Sequence, residues 1–391
     1  LAMRIGINWA LSLRFRGQLW RISRTGFLFA SLAVAAQTVA TGNPPYPPSP
    51  VIAGLTIDWR SHQRGAQGSD NFQLTWADDG HLYGAWGDGG GFGGTNSDGR
   101  VGLGVARVEG PGSQPMGYNV WGGKRPENEA SFDGKSWGMI CVDGILYMWV
   151  VPDKPDTGGE RNHFAYIQMA RSRDHGRTWE KQENWRFSMS EQLTIPTFLN
   201  FGKNNGGARD GYVYSYFIHP TGNRIESGSL TVNKPGRLYL ARAKADGMFE
   251  NKEAFEFFRG LDSEGSPRWG GINEKRAVFK DTNGVGWCLS ACYNQGLGRY
   301  LLCTEHSASS TGMMGIFDAP EPWGPWSVVR YYDESDYFGK SRVVQNVFFL
   351  SFPTKWMNPD GSGFTMVFTG AGLGKNNDSF NAVGGEFNLR P

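Results

Sequence analysis

Two aspartates stand near the ends of a predicted β-hairpin and could perform acid–base chemistry together. The hairpin turn is Asp78–His81, and counting outward from it places Asp70 beside Asp88 and Gly89. Opposed residues of antiparallel strands have Cβ atoms about 4.5–5.5 Å apart, so the two carboxyl groups are predicted to share one site. One carboxyl group can protonate a leaving oxygen while the other activates water, as the cleavage of a glycosidic bond requires. The alternative is that one aspartate only caps a strand or binds a loop amide.

Further polar side chains are predicted around the same pocket. Each comes just before a predicted first or third strand of a repeat, or just after a predicted second strand. These candidates for substrate binding are Asn71, Lys135, His163, His219, Glu274, Lys275, Arg276, Tyr293 and Lys355. Three lysines and an arginine at one mouth suit an anionic sugar such as a uronate or a sulfate ester. The alternative is that several of these side chains point outward or pair with Glu274.

A fivefold repeat in the chain positions these residues. An Asp-Gly or Asn-Gly turn followed by an aromatic-rich strand recurs at intervals of 64, 67, 73 and 77 residues. The turns are Asp79-Gly80, Asp143-Gly144, Asp210-Gly211, Asn283-Gly284 and Asp360-Gly361. Such dipeptides favour hairpins because they tolerate positive φ, and several antiparallel strands at this period are typical of a propeller blade. The sequence predicts an all-β, five-bladed β-propeller over residues 52–391 as a single domain, closed by a strand near Leu55–Trp59.

The composition agrees with many short strands joined by tight turns. The 391 residues include 56 Gly, 15 Trp, 14 Tyr and 25 Phe, and the aromatic content excludes a disordered chain. The segment Ser172–Trp179 matches the Asp-box pattern S-x-D-x-G-x-T-W of sialidase-type propellers, and we predict a structural role for it opposite the pocket. The four cysteines are predicted to be buried free thiols; one disulfide among Cys288, Cys292 and Cys303 is the alternative.

Several other chemistries lack their motifs. The segment Gly89–Gly94 has the spacing G-x-G-x-x-G, but no predicted helix follows it. We therefore predict a flexible loop over the pocket instead of a nucleotide site. The chain has no H-E-x-x-H motif of zinc peptidases, and the G-x-S-x-G spacing of esterases occurs only at Gly134–Gly138, at the start of a predicted strand and not in a strand-to-helix turn. No cofactor is predicted, and a structural calcium ion in the channel or at Asn376-Asn377-Asp378 is the open alternative.

The N-terminal segment is predicted to lie outside the propeller. Residues 1–40 combine a basic stretch, the apolar run Gly26–Ala36 and small residues, as a secretory signal peptide does. A membrane anchor is the alternative, but the run is shorter than the ~20 residues that a span needs. A Pro-rich linker is predicted at residues 41–51. All five basic residues of the first 50 lie in the leader, so the remaining chain has a net charge of −3. We expect a secreted or periplasmic protein that binds no nucleic acid and, after processing, no membrane.

Several segments resemble one family of enzymes. The run SDNFQLTWADDGHLYGAWGDG, from Ser69 to Gly89, resembles the first blade of five-bladed glycoside hydrolases of the endo-D-arabinanase kind, and of their secreted bacterial relatives. Further matches are Ala319–Trp326, Arg209–Tyr214 and Phe352–Trp356. The resemblance covers nearly the whole chain after residue 52. It implies that two aspartates of the first blade, here Asp70 and Asp88, carry catalysis.

We predict a secreted glycoside hydrolase that acts on an extracellular polysaccharide or oligosaccharide, with an anionic glycan as one option. Asp70 is the predicted general base and Asp88 the predicted general acid. The first alternative is a polysaccharide lyase, which would neutralise a uronate with Lys275 or Arg276. Its candidate bases are His163, His219 and Tyr293. The second alternative is a propeller that binds glycans without catalysis.

Overall fold

The computed structural model describes residues 42–151, 166–221, 232–343, 345–371 and 378–391. The predicted signal peptide, His163, Asn376 and Asn377 lie outside the described residues. Among those that are described, no helix is long and apolar enough to cross a membrane.

The described chain is built of β-strands and single-turn 3-10 helices. Strand β1 (Ile52–Gly65) comes first, and blade 1 contains β2 (Asp70–Trp76), β3 (Leu82–Gly87), β4 (Leu103–Glu109) and β5 (Met116–Trp121). Blade 2 contains β6 (Lys135–Val142), β7 (Ile145–Val151), β8 (Tyr166–Ser172), β9 (Glu180–Lys181) and β10 (Phe187–Ser188). Blade 3 contains β11 (Thr194–Asn200), β12 (Tyr212–Ile218), β13 (Gly236–Lys244), β14 (Glu256–Leu261), β15 (Pro267–Gly270) and β16 (Ala277–Asp281). Blade 4 contains β17 (Ser290–Asn294), β18 (Arg299–Glu305), β19 (Met314–Ala319) and β20 (Ser327–Tyr331), and blade 5 contains β21 (Gln345–Ser351), β22 (Gly363–Ala371) and β23 (Phe380–Leu389). The 3-10 turns are Met189–Glu191, Lys203–Asn205, Lys252–Ala254, Ile272–Glu274 and Thr354–Trp356.

The blades are antiparallel sheets arranged in a ring. The first strands, β2, β6, β11, β17 and β21, contact one another in that order, and β21 contacts β2. The inner strands therefore close a circle, which is the five-bladed all-β propeller that the sequence predicts. In blade 5, β1 pairs with β23 from Ile52 opposite Leu389 to Gly65 opposite Phe380. The predicted closing strand is thus confirmed, and it covers an edge that would otherwise be exposed.

The two ends of the ring differ in what they present. The mouth face is where first strands begin and second strands end, and the hairpin face is where hairpins join those strands. The turns Asp79-Gly80, Asp143-Gly144 and Asp210-Gly211 join the first and second strands of blades 1 to 3, as predicted. In blade 5, Asp360-Gly361 lies in the longer connection between β21 and β22.

Blade 4 differs from the prediction. The strand before Asn283-Gly284 is β16, which pairs with β13 of blade 3 and is not an inner strand. The first strand of blade 4 is β17, and residues 295–298 form its turn to β18. Hydrophobic content does not distinguish an inner strand from an outer one, and the true turn carries its positive φ at Gly298 without an Asp-Gly or Asn-Gly pair.

Large apolar side chains fill the space between adjacent blades. Trp149 of blade 2 is fully buried and packs against Phe198 and Phe217 of blade 3, each with ring centroids 5.5 Å away. Burying a side chain of this size stabilises the fold by roughly 1.5–3 kcal/mol, so such contacts hold neighbouring blades together. All four cysteines are buried free thiols, as predicted.

The predicted linker packs on the propeller over its described residues. The Tyr46 ring lies 5.2 Å from that of Phe279 and 6.0 Å from that of Phe317. The Val328 amide donates to the Pro47 carbonyl at 2.8 Å, and Ser49 is almost fully buried. The packed domain therefore includes residues from 42 onward, because the apolar and hydrogen-bonding groups of this segment find partners on blades 3 and 4.

The segment Ser172–Trp179 forms a turn on the hairpin face after β8. Ser172 Oγ accepts the Gly176 amide at 2.8 Å, Asp174 Oδ1 accepts the Thr178 amide at 2.9 Å, and Trp179 Nε1 donates to the Gly176 carbonyl at 3.0 Å. These bonds involve the segment's own polar groups, so its Asp174 is committed to the turn.

Candidate active site

Asp70 and Asp88 lie together at the mouth face of blade 1. Asp70 begins β2, and Asp88 follows the last residue of β3. The backbone partner of Asp70 is Gly87, one residue short of the predicted partner, because the register shifts between Asp70 and Gln73. A Cβ atom placed on Gly87 would lie 2.6 Å from Asp70 Oδ1. The Asp70 carboxyl group therefore packs directly against the backbone of the neighbouring strand.

Asp88 is held by two cations. Lys135 Nζ lies 2.5 Å and Arg100 Nη2 3.0 Å from Asp88 Oδ1. Lys135 also donates to the Gly102 carbonyl at 3.0 Å. Lys135 is thus at the mouth where the sequence places it, but it compensates the charge of Asp88 and fixes the position of that carboxylate.

The glycine-rich loop after Asp88 is anchored to blade 1. Asn119 Nδ2 donates to the carbonyls of Gly90 and Phe92, each at 3.1 Å, and Ser69 Oγ accepts the Gly91 amide at 2.9 Å. Gly89 has a φ of 65°, and a Cβ atom there would lie 2.3 Å from the Gly68 carbonyl oxygen. Instead of the flexible cover that was predicted, this loop is a fixed support for Asp88.

A third carboxyl group, Asp378, joins the site from blade 5. Its carbonyl accepts the Gly68 amide at 2.6 Å, which links it to the residues preceding β2. Burial raises the pKa of Asp378 to about 6, opposed by a hydrogen bond from Asn346. The sequence singled out Asp378 only as part of a calcium alternative, since its approach to Asp70 depends on closure of the ring.

Burial and negative neighbours act together on Asp70. Burial raises the pKa of Asp70 well above its usual range, and the charges of Asp88 and Asp378 raise it further against the opposing charge of Lys135. Asp70 also keeps part of its surface open at the mouth, so its raised pKa favours a carboxyl group that can present a proton there.

Glu305 is a further acidic residue that sequence reasoning missed. It ends β18 at the mouth face of blade 4 and is fully buried. Its Oε2 accepts Ser309 Oγ at 3.3 Å, and Ser309 Oγ in turn accepts Trp287 Nε1 at 2.6 Å. Burial raises the pKa of Glu305 to about 8. The sequence did not reveal Glu305 as a mouth residue because the prediction for blade 4 did not place β18, the strand that Glu305 ends.

Glu305→Gln is expected to stabilise the protein more at pH 8 than at pH 5. A carboxyl group whose folded pKa lies above its usual 4.5 binds its proton more tightly in the folded state. Its burial therefore lowers the free energy of unfolding as pH rises from about 4.5 to about 8. The neutral amide removes that dependence. The unfolding temperatures of the wild type and the variant at pH 5 and pH 8 measure this effect, with the exposed Glu334→Gln as control. An equal change in unfolding temperature at both pH values would contradict the expectation.

Four of the predicted binding residues lie at the mouth or its rim. Asn71 is buried and donates from Nδ2 to the Ser136 carbonyl at 3.1 Å, which ties blade 1 to blade 2 beneath Asp70. His219 follows β12, and its Nδ1 lies 3.1 Å from the Tyr239 hydroxyl. Lys275 Nζ lies 5.0 Å from the centre of the Tyr239 ring. Together with Lys135, these residues lie toward the mouth face.

The other four described candidates lie elsewhere, so the prediction that they line the mouth is wrong. Tyr293 is on β17 and packs against Tyr300 beside the blade 4 hairpin turn. Lys355 is on the 3-10 turn Thr354–Trp356 and lines a cleft on the hairpin face together with His81. Glu274 and Arg276 are exposed on the outer part of blade 3, where Glu274 pairs with Arg259 at 2.5 Å. These errors follow from reading β16 and Thr354–Trp356 as inner strands.

Gly87→Ala is expected to reduce activity strongly in a folded protein. Gly87 is in a strand and has no positive φ that requires glycine, but the new methyl group would displace the Asp70 carboxyl group. A misplacement of about 1 Å can cost about 10²-fold in rate. Product release from a glycan, the substrate class that the sequence predicts, measures the effect, and unchanged release would contradict the expectation. The control is Gly271→Ala, where a Cβ atom meets no neighbour within 4 Å.

Among the described residues, no group of three or more His, Cys, Asp or Glu side chains is arranged to hold a metal ion. The mouth presents carboxyl groups with contrasting surroundings and the cations beside them.

These features define the class of protein: a closed five-bladed propeller with paired carboxyl groups at one mouth. The chain belongs to the family described as Domain of unknown function (DUF4185), whose model matches residues 137–343. No curated protein matches it by sequence.

Several solved structures are similar to this chain at low sequence identity. A GH43_1 enzyme from Xanthomonas citri is 14% identical, with a TM-score of 0.49 over 83% of this chain and 91% of that chain. The RS223 β-xylosidase is 14% identical, with a TM-score of 0.49 over 83% and 95%. An α-L-arabinofuranosidase from Podospora anserina, solved with cellotriose, is 9% identical, with a TM-score of 0.43 over 88% and 95%.

Proposed function

We propose that this protein is a glycoside hydrolase that cleaves glycosidic bonds of an extracellular polysaccharide or oligosaccharide. The observation that carries the proposal is the pairing of two carboxyl groups in opposite surroundings at one mouth. Asp70 is embedded beside other acids, which raises its pKa, whereas Asp88 is bound by Lys135 and Arg100. Two carboxyl groups whose environments differ in this way can serve as acid and base in one reaction.

These surroundings favour roles opposite to those predicted from the sequence. A general acid must hold its proton at working pH, which suits Asp70. A base or nucleophile must carry charge, which suits a carboxylate contacted by two cations. Asp70 would protonate the glycosidic oxygen as the bond to the anomeric carbon breaks, and Asp88 would accept a proton from the attacking water or attack that carbon itself. The charge of Asp378 helps to keep the proton on Asp70.

A product screen tests the proposal. The purified protein is incubated with neutral and uronate-containing plant and algal polysaccharides, and new reducing ends are measured, with Asp70→Asn as the inactive control. Reducing ends from the wild type alone, formed without unsaturated products that absorb ultraviolet light, support hydrolysis. Equal release by the variant would place catalysis elsewhere, and tight binding without any product would support the glycan-binding alternative.

A polysaccharide lyase is the second candidate, favoured by the hydrogen-bonded His219 and Tyr239. Burial, with the charges of Arg237 and Lys275, lowers the pKa of His219, so the imidazole is neutral and able to accept a proton. In β-elimination it would take the proton next to a uronate carboxylate while the glycosidic bond breaks. Unsaturated products that absorb ultraviolet light distinguish this reaction from hydrolysis.

We also propose export to a secreted or periplasmic location, where a polysaccharide is accessible. The proposal rests on the leader pattern of residues 1–40. N-terminal sequencing of the protein recovered outside the cytoplasm tests it, and a mature form that retains the leader would contradict it.

A further inference from the structure

A cluster of polar groups on blade 3 lies apart from the carboxyl groups of blade 1. It consists of Arg237 and Tyr239 on β13, His219 after β12, and Lys275 before β16, and we name it the blade-3 cluster. Thr194, the first residue of β11, pairs with Ile218, so His219 extends beyond the start of the inner strand at the mouth face. The His219 amide donates to the Arg237 carbonyl at 3.0 Å, which fixes the two residues side by side.

Among the described residues, no carboxylate forms an ion pair with the cations of the blade-3 cluster, since none lies within 4.0 Å of Arg237 or Lys275. The acid that acts on Lys275, Glu191, is engaged by Lys252 at 2.7 Å and by the Ser188 amide at 2.8 Å. Other cations of blade 3 do have acidic partners, such as Arg242 with Glu256 at 3.0 Å.

Arg237 and Lys275 both lie close enough to His219 for their charges to act on it. Arg237 is exposed, and the Lys275 ammonium lies 5.0 Å from the centre of the Tyr239 ring and donates to the Ile272 carbonyl at 3.2 Å. The Tyr239 ring is buried, which holds its hydroxyl in position against His219. A guanidinium, an ammonium and a hydroxyl in one region of the surface are groups that can bind a carboxylate or sulfate, the guanidinium by two parallel hydrogen bonds.

We propose that the blade-3 cluster is a subsite for a sugar residue that carries a carboxylate or sulfate group. This rests on the proposed function, in which the mouth holds a glycan. The cluster and Asp70 share the mouth face but belong to blades 3 and 1. The acidic sugar therefore binds away from the cleaved bond and selects which glycan enters.

Calorimetric titration of the intact protein with three tetrasaccharides tests the subsite. The ligands are a tetragalacturonate, a sulfated galactan tetrasaccharide and neutral xylotetraose. We expect one acidic ligand to bind at least tenfold more tightly than the neutral one, and the two acidic ligands separate uronate from sulfate recognition. Arg237→Gln should lower the acidic affinity roughly tenfold, as loss of a charged hydrogen bond does, and leave the neutral affinity unchanged. The matched control is Arg268→Gln, which removes an exposed arginine from β15 of the same blade.

The outcomes separate the subsite from the hydrolase. Equal binding of all three ligands, no binding of either acidic ligand, or an equal loss in the Arg268→Gln control would overturn the subsite. Lys275→Gln provides a second variant, and thermal unfolding identifies any variant that does not fold. If acidic ligands bind tightly and no glycan is cleaved, the subsite stands and the hydrolase proposal fails. If a neutral glycan is cleaved and acidic ligands bind no better, the hydrolase stands and the subsite fails.

Discussion

Asp70→Asn is expected to lower the rate of glycan cleavage by about 10²–10⁴-fold, the range that a positioned acid or base contributes. The amide keeps the shape of the side chain but cannot supply the proton. The variant should also unfold at the same temperature as the wild type or a higher one at pH 7. A carboxyl group whose pKa is raised by burial makes the folded state less stable above its ordinary pKa, and the neutral amide removes that cost.

The pairing of lost activity with retained stability is what identifies Asp70 as a catalytic residue. Activity is measured from initial rates on the best substrate of the screen, and stability from thermal unfolding. Asp246→Asn, an exposed aspartate after β13 on the hairpin face, controls for the change in charge. A variant of Asp70 that keeps more than half of the wild-type rate would remove Asp70 from the mechanism.

Asp88→Asn is expected to lower the rate by a similar factor, with a different dependence on the leaving group. If Asp70 is the acid, its asparagine variant should recover activity on an aryl glycoside whose leaving group needs no protonation. The asparagine variant of Asp88 should not recover activity, because no carboxylate remains to activate the attacking water or to attack the anomeric carbon itself. Rates on a glycan and on an aryl glycoside of the same sugar measure the difference.

Small anions provide a second test of the role of Asp88. Azide added to Asp88→Gly should restore cleavage, since an external anion can occupy the space next to Lys135 and Arg100. The matched comparison is Asp70→Gly, for which azide supplies no proton. The opposite result would be activity of the Asp88 variant on the aryl glycoside and rescue of the Asp70 variant by azide. In that case Asp70 is the base and Asp88 the acid, as the sequence alone suggested.

The sequence predicted the ring and blade 1 well because local signals set them. Asp79-Gly80 fixes a hairpin within a few residues, and the hairpin brings Asp70 near Asp88 with an error of one residue. That error comes from an irregular register inside β2, which side-chain alternation does not reveal. The closing strand was predictable because a leftover strand before blade 1 has an unpaired edge of blade 5 to cover.

The remaining parts of the site depend on contacts that are distant in sequence. Asp378 reaches Asp70 only because blade 5 and blade 1 are neighbours in the closed ring. Glu305 was missed, and Tyr293 was misplaced, because the Asn283-Gly284 turn belongs to an outer strand of blade 3. The ion pairs of Asp88 were also not predicted, since Lys135 comes from blade 2 and Arg100 lies beyond the glycine-rich loop.

The most direct test is mass spectrometry of the products formed in water labelled with heavy oxygen. Hydrolysis by the carboxyl groups at the mouth adds one labelled oxygen to each new reducing end, and we predict that label in wild-type products and its loss in Asp70→Asn. Products that lack the label and are lighter by one water would show elimination, and would contradict the claim that Asp70 and Asp88 hydrolyse a glycosidic bond.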